Sequence, residues 1–362
     1  MKLISVSMKN IAIIGTQGVP ANYGGFESLV ENLIGDHKSE EVQYTVFCSS
    51  KDMPEKLEEY KGAKLKYIPL RANGAQSIPY DILSFLKVPK TTDVILVLGV
   101  SGCLILPLYR LFSKKKLVIN IDGLEHRREK WGKMAKRFLK FSEKLAVKYA
   151  DIIVSDNKGI QDYVKEEYGK DSVLIAYGGD HVIKEVSSSF EKDVLNRFSL
   201  EPRNYAVTVC RIEPENNCHV TLEAFSRTDK KLIFIGNWNR SEYGRSLKEK
   251  YSEFPNITIQ DPIYDIDTLY VLRKNAGQYI HGHSAGGTNP SLVEAMFFGC
   301  PILAYGCIYN RESTLGKAYY WENADELATL LNSSDMDGSI MQQIAERQYT
   351  WKQITQQYEE LY

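Results

Sequence analysis

Short runs of Val, Ile and Leu recur along this chain with helix-length segments between them, and that alternation constrains its fold more than any other feature. The first series is Ile11–Ile14, Tyr44–Cys48, Leu65–Ile68, Val94–Leu98, Leu117–Ile121 and Ile152–Ser155. Segments of helical period, such as Gly25–Leu33 and Lys133–Tyr149, lie between several of them. Strands that are apolar throughout are buried on both faces, which implies a parallel sheet covered by helices. The pattern then restarts with Ala206–Cys210, Leu232–Ile235, Ile257–Gln260, Gly277–Ile280 and Pro301–Ala304. Val220–Phe225, Tyr243–Phe254, Ile266–Lys274 and Pro290–Phe298 supply the second set of helices. Between the series, Ile183–Asn204 is polar and poor in strand formers, which marks a domain boundary.

The expected class is therefore α/β, with two Rossmann-like doubly wound domains facing each other across an interdomain cleft. The first spans 1–182 and the second 183–345; a C-terminal helix over 346–362 packs back on the first. A chain of 362 residues gives each domain a core of its own. The net charge of −1 offers nothing for a nucleic-acid partner. Six scattered cysteines without a CxxC pair fit buried reduced thiols, hence a cytoplasmic protein, better than a disulfide framework or zinc site. The start is polar and lacks the apolar core of a signal peptide. Val94–Tyr109 is 16 residues without a charge, but a spanning helix needs about 20 apolar residues. Gly99, Ser101, Gly102 and Pro107 also break it, so it reads as a buried strand, a turn and an apolar helix.

Ligands of doubly wound sheets sit at the carboxyl ends of the strands, so the loops there are the candidate sites. The first strand runs into Gly15-Thr16-Gln17-Gly18-Val19-Pro20, and Gly24-Gly25-Phe26-Glu27 opens the next helix. Gly24 and Gly25 could bring backbone against a phosphate or sugar, or only make a tight turn. The spacing is not GxGxxG, and no acidic residue ends the second strand, which argues against NAD. In the second half, His281-Gly282-His283-Ser284-Ala285-Gly286-Gly287-Thr288-Asn289-Pro290 leads into a helix carrying Glu294. Asn289 suits the N-cap and Pro290 the first helical position. Gly286, Gly287 and Thr288 then line an anion site, and Glu294, one turn on, can accept from a ribose. His281 and His283 lack nearby partners for a metal set, and His283 is a hydrogen-bonding candidate near the ligand. Arg211 ends the first strand of this half. Its planar fork suits a pyrophosphate; pairing with Glu213 or Glu215 is the alternative. Asp122 is either a polar group facing the ligand or a turn residue before Gly123.

The segment Arg211-Ile212-Glu213-Pro214-Glu215-Asn216-Asn217, with Leu222-Glu223-Ala224-Phe225, resembles the R-x-x-P-x-K … L-x-E-A-F element of glycosyltransferase family 4. Asn289–Met296 with Gly299–Ala304 resembles that family's E-x7-E region. The opening Gly15–Glu27, Asn120–Glu125 and Lys130-Trp131-Gly132 are similar to a branch that includes bacterial capsule and cell-wall β-1,4-rhamnosyltransferases. Two positions depart from the pattern: Gly286 stands where the first Glu would be, and Asn217 replaces the usual Lys.

The resemblance implies the GT-B architecture and a retaining, metal-independent transfer without a cofactor. The donor would be a nucleotide sugar, dTDP-L-rhamnose, and the acceptor a polyprenyl-diphosphate-linked saccharide of a capsule or cell-surface polysaccharide. It puts Asp122 and Arg211 at the reacting centre. Gly24, Gly25, Asn217, His283, Gly286, Gly287, Thr288, Asn289 and Glu294 would join Arg211 around the donor. A sugar-nucleotide epimerase of the same shape, or a non-catalytic nucleotide-sugar-binding subunit, are the alternatives. Between Arg110 and Lys148 stand thirteen basic side chains against four acidic ones. An apolar helix, Leu104–Phe112, precedes Lys114-Lys115-Lys116, and in Lys133–Lys148 basic residues alternate with Phe138, Leu139, Phe141, Leu145 and Val147. Anionic lipid attracts such segments, so the expected location is the inner face of the plasma membrane, peripherally bound.

Overall fold

The computed structural model describes residues 8–21, 24–121, 123–128 and 131–362. The chain divides into two units: the residues up to Tyr177 together with Trp351–Tyr362, and Gly178–Thr350.

The first unit holds eight strands: β1 (Lys9–Ile14), β2 (Val42–Ser49), β3 (Glu59–Tyr60), β4 (Ala63–Ile68), β5 (Val94–Leu98), β6 (Lys116–Asn120), β7 (Ile152–Ser155) and β8 (Val173–Leu174). Their order across the sheet is β3-β4-β2-β1-β5-β6-β7-β8. All pairings are parallel except the short β3–β4 ribbon. Ile11 and Ile13 point into one core with Leu29, Val30 and Leu33 of the helix Gly25–Leu33. The second unit holds β9 (Tyr205–Val209), β10 (Lys231–Ile235), β11 (Ile257–Gln260), β12 (Gln278–His281), β13 (Ile302–Tyr305) and β14 (Tyr319–Trp321). These run in the order β11-β10-β9-β12-β13-β14, all parallel. Both sheets are Rossmann-like, and each reverses its order beside its first strand.

The division between units falls earlier than the expected 183. Tyr177 is buried in the first core. Two residues on, a Cβ at Gly179 would lie 3.0 Å from the Glu294 amide in the second unit. The polar stretch after Ile183 is not a linker but carries the helix Ser188–Arg197, whose cap Ser187 accepts from the Phe190 amide at 3.2 Å. The return also starts later, at Trp351 rather than 346. The helix Trp351–Glu359 sends Trp351, Ile354 and Tyr358 into the first core, and Asn120 Nδ2 donates to the Tyr358 hydroxyl at 2.9 Å. The apolar stretch after β5 is a 3-10 turn, Cys103–Ile105, and a short helix, Leu106–Phe112. Among the described residues no helix is long and apolar enough to cross a membrane.

Trp351 is nearly fully buried. Trp351→Ala should cost about 3–5 kcal/mol in urea denaturation, as large aromatic truncations do, and Trp351→Phe distinctly less. A loss below about 1 kcal/mol, the level of surface changes, would mean that the C-terminal segment is not part of the first core.

Candidate functional site

In the second sheet β9 is flanked by β10 on one side and β12 on the other. Crossovers from such a central strand leave on opposite faces, so the loops after β9 and β12 part at the carboxyl edge and open a crevice there. The two loops are residues 210–217 and 282–289. They are tied at their base. Asn216 Nδ2 donates to the Arg211 carbonyl at 2.7 Å, and Asn216 Oδ1 lies 2.7 Å from Nδ1 of buried His283. Asn217 Nδ2 donates to the Gly282 carbonyl at 2.9 Å, and the Ser284 amide and hydroxyl both donate to the Glu215 carbonyl at 2.9 Å. A Cβ at Gly282 would lie 2.1 Å from the Asn216 carbonyl oxygen, so only glycine permits this approach.

This lacing changes the meaning of two expected residues. In R-x-x-P-x-K counted from Arg211, the lysine position is Asn216, not Asn217. Both asparagines hold loops together, and Asn217 does so from a left-handed backbone with φ 48°. His283 likewise commits Nδ1 to Asn216. His281 is buried beneath Tyr279, and burial pushes its imidazole pKa down to about 3, so it is neutral.

Beyond the lacing, Gly286 and Gly287 turn the chain with successive positive φ of 33° and 74°. Thr288 is buried against Ser313. Asn289 caps the helix Pro290–Met296, its Oδ1 accepting from the Ser291 amide at 3.0 Å and the Ser291 hydroxyl at 2.8 Å. The Leu292 and Val293 amides donate to the Asn289 carbonyl. The first-turn amides expected to receive an anion are therefore already occupied. Arg211 lies 3.8 Å from Glu213 and 4.0 Å from Glu215, with about a third of its side chain exposed (35%). Partly exposed pairs at such distances hold a side chain weakly, which leaves the guanidinium able to turn to an oxyanion.

Glu294 has two partners that reading along the chain did not supply. Arg273 Nη2 meets its Oε2 at 2.8 Å, and His181 Nε2 lies 3.6 Å from its Oε1. Arg273 is 95% buried, its side chain only 5% exposed. Burial lowers the pKa of His181, and the Glu294 carboxylate opposes that shift.

At the first sheet the order reverses between β1 and β5. The β1 loop is held by Glu27, whose Oε1 accepts from Thr16 Oγ1 at 3.0 Å and the Gln17 amide at 2.8 Å. A Cβ at Gly24 would lie 2.0 Å from Glu27 Oε2. Gly24 has φ 127°, a backbone conformation that favours glycine, while Gly25 begins the helix. Asp122 lies outside the described residues. After it, Glu125 accepts from Trp131 Nε1 at 2.9 Å and pairs with Arg128, and His126 meets buried Glu143 at 2.9 Å.

Two Asp-x-Asp triplets, Asp265-Ile266-Asp267 and Asp335-Met336-Asp337, are a pattern that can mark a metal-bound diphosphate, and a metal-free reading has to account for them. Asp265 caps the helix Ile266–Lys274 through the Thr268 amide at 3.2 Å, and Asp337 accepts from the Ser339 amide at 2.8 Å. Both triplets have local capping roles.

A family model described as a domain of unknown function, DUF1972, matches residues 8–180. No curated protein sequence matches the chain. Among solved structures it is similar to sucrose-phosphate synthase from Thermosynechococcus elongatus, at 16% identity and TM-score 0.79, over 98% of each chain. Anabaena HepE in complex with UDP and glucose matches at 15% identity and TM-score 0.76, again over 98% of each chain. A putative UDP-N-acetylglucosamine 2-epimerase from Listeria monocytogenes matches at 14% identity and TM-score 0.62, over 98% of this chain and 95% of that one. The fold is GT-B. Within it, the loops after β9 and β12 line the carboxyl edge of the second sheet, and those after β1 and β5 line that of the first.

The β5 loop of the first unit rests on a buried acid. Asp81, on the helix Ser77–Leu86, accepts from the Ser101 hydroxyl, and a Cβ at Gly102 would lie 2.2 Å from Asp81 Cβ. Burial pushes its carboxyl up from 3.8 to about 7, although the Ser101 and Gly102 donors oppose the shift. The raised value means that the folded chain favours the neutral acid. Its stabilisation is complete below pH 3.8 and is lost as pH rises through about 7. Asp81→Asn should therefore flatten the melting temperature between those limits and raise it above wild type at pH 8. A wild-type pH profile retained in the variant would remove Asp81 as its source.

Proposed function

We propose that this chain is a glycosyltransferase that takes a nucleoside-diphosphate sugar at the carboxyl edge of its second sheet. The observation that carries the reading is the strand-order reversal beside β9, with Arg211 rooted on one side and the Gly286–Thr288 turn and Glu294 on the other. The planar guanidinium of Arg211 suits the negative charge that grows on a departing diphosphate. The paired glycines let backbone approach the sugar, and Glu294 accepts from the ribose. From the sequence resemblance, the donor is dTDP-L-rhamnose, transfer proceeds with retention and without a metal, and the acceptor is a polyprenyl-diphosphate-linked saccharide. The epimerase is the second reading, favoured by the likeness to the Listeria protein. Incubation with dTDP-L-rhamnose and a lipid-linked acceptor should release dTDP and lengthen the acceptor. A free epimer formed without acceptor supports the second reading instead. By calorimetry, Arg211→Ala should weaken dTDP binding by about 1.5–3 kcal/mol, the worth of a charge-assisted bond; unchanged affinity would remove Arg211 from the site.

A lipid-linked acceptor calls for docking on an anionic membrane, and the first unit has a surface suited to it. Leu108, Leu111 and Phe112 are exposed on one helix, and Met134 and Phe141 on its neighbour Lys133–Tyr149. Exposed Lys133, Arg137, Lys144 and Lys148 share that second helix. The surface differs from the expected one. Val147 is buried, and Phe138, Leu139 and Leu145 are half-buried. Arg110 is paired with Asp151, Lys115 donates to the Lys90 carbonyl, and Lys140 serves Glu143, Glu167 and the ring of Tyr163. Lys140 is therefore unsuited to charge reversal. Each exposed basic residue near anionic lipid contributes about 1 kcal/mol. The chain should sediment with phosphatidylserine vesicles at low salt and release as salt rises. Arg137→Glu with Lys144→Glu should abolish sedimentation and leave dTDP affinity unchanged. Equal partition onto neutral vesicles, or no effect of the double variant, would overturn the docking.

A further inference from the structure

Two basic residues end the helix Ile266–Lys274, and they are placed differently. Lys274 is partly exposed and reaches Glu191 at 2.8 Å, the ordinary surface arrangement for a cation at a helix C-terminus. Arg273, next to it, is buried. Among the described residues the one carboxylate paired with it is that of Glu294, whose Oε2 lies 2.8 Å from Nη2, and its Nε is buried with no hydrogen-bond partner. An exposed ion pair can open into water at little cost. A buried guanidinium cannot release its only carboxylate without being left as an unpaired charge in the interior, which is strongly unfavourable. Arg273 therefore holds Glu294 more firmly than a surface cation could. The helix bearing Glu294 is also packed from a second side. A Cβ at Gly179 would lie 3.0 Å from the Glu294 amide and from the Val293 side chain, and two residues further on His181 Nε2 stands 3.6 Å from Glu294 Oε1.

A glutamate side chain has several rotatable bonds, and ordering it on a ligand costs affinity. Glu294 keeps 18% of its side chain exposed against 5% for Arg273, so the acid of this pair meets solvent and the base does not. Pairing does not use up the carboxylate, because its two oxygens offer about four acceptor positions. We infer that Arg273 is a positioning residue of the nucleotide site: it acts through Glu294, ordering the carboxylate before the nucleoside sugar arrives. This rests on the nucleotide-sugar reading and deepens it. The affinity that the site draws from the sugar hydroxyl depends on Arg273, while the affinity drawn from base and diphosphate does not.

dTDP and its 3′-deoxy analogue share base and diphosphate, so the ratio of their affinities isolates the remaining sugar hydroxyl. With the purified full chain, calorimetry should show dTDP binding about tenfold more tightly than the analogue, as expected for a bond to a charged acceptor. In Arg273→Met the ratio should collapse to within about twofold, with the affinity for the analogue held within about twofold of wild type. Arg273→Lys, which keeps the charge on a simpler head, should recover most of the ratio. A purely structural role would weaken both nucleotides alike and leave the ratio standing; that result overturns the inference. So does a wild-type ratio near one, which would leave the nucleotide site in place but remove Glu294 as a reader of the sugar. If Arg273→Met does not fold, Arg273→Gln removes the charge, keeps a polar head and is held to the same two criteria. Absence of dTDP binding by the wild-type chain overturns the nucleotide-sugar reading itself.

Discussion

A parallel strand can be entered from either face of its sheet, and a chain that uses both faces must part its loops somewhere. In this protein that place is fixed beside β1 in one unit and beside β9 in the other. Every candidate group of the second unit takes its position from that parting. The loop after β9 carries Arg211, the loop after β12 carries the paired glycines, and the helix after it carries Glu294. The parting alone would leave two independent loops. Asn216, Asn217 and Gly282 join them at the root, so the free portions stand on a common rigid base. Preorganisation of this kind lets a side chain act on developing charge without first being ordered.

The same economy appears in the first unit, with different chemistry. The β1 loop is held by Glu27, which accepts from the loop's own donors, and the β5 loop rests on Asp81, whose carboxyl burial pushes up to about 7. Glu143 offers a third case. Burial raises its pKa, but bonds from His126, Tyr168 and Tyr163 more than offset this and hold the acid charged. Three buried acids thus organise the carboxyl-edge loops and the basic helix.

The strands were legible because burial on both faces writes itself as local apolar runs, and β5 and β7 begin and end where those runs do. The Asn289 cap and Pro290 were legible because capping uses neighbouring residues. Arg211 and Glu294 could be singled out by their place after a strand. Their partners could not. Arg273 reads as an ordinary C-terminal helix cation, Glu143 as one acid on a basic surface, and Asn216 as a loop residue; each gains its meaning from contacts remote in sequence. The short strands β3, β8 and β14 escaped notice for a related reason, being two or three residues long and largely exposed or half-buried. The unit boundary was displaced because polarity marks exposure, and the helix Ser188–Arg197 is polar yet part of the second unit.

The first core closes over Trp351, Ile354 and Tyr358, so the second unit is threaded through the first as an insertion. This sets an order on biosynthesis. When the ribosome has made Tyr177, all eight strands of the first sheet exist, yet the surface that the final helix covers is still bare. At roughly 5–20 residues per second, synthesis of the intervening unit occupies about ten seconds or more. During that interval the second unit, contiguous in the chain, can complete its own core while the first waits. Exposed apolar surface of that kind is what chaperones bind. The first unit, though it begins first, is the one that finishes last, once Trp351–Tyr362 has been made.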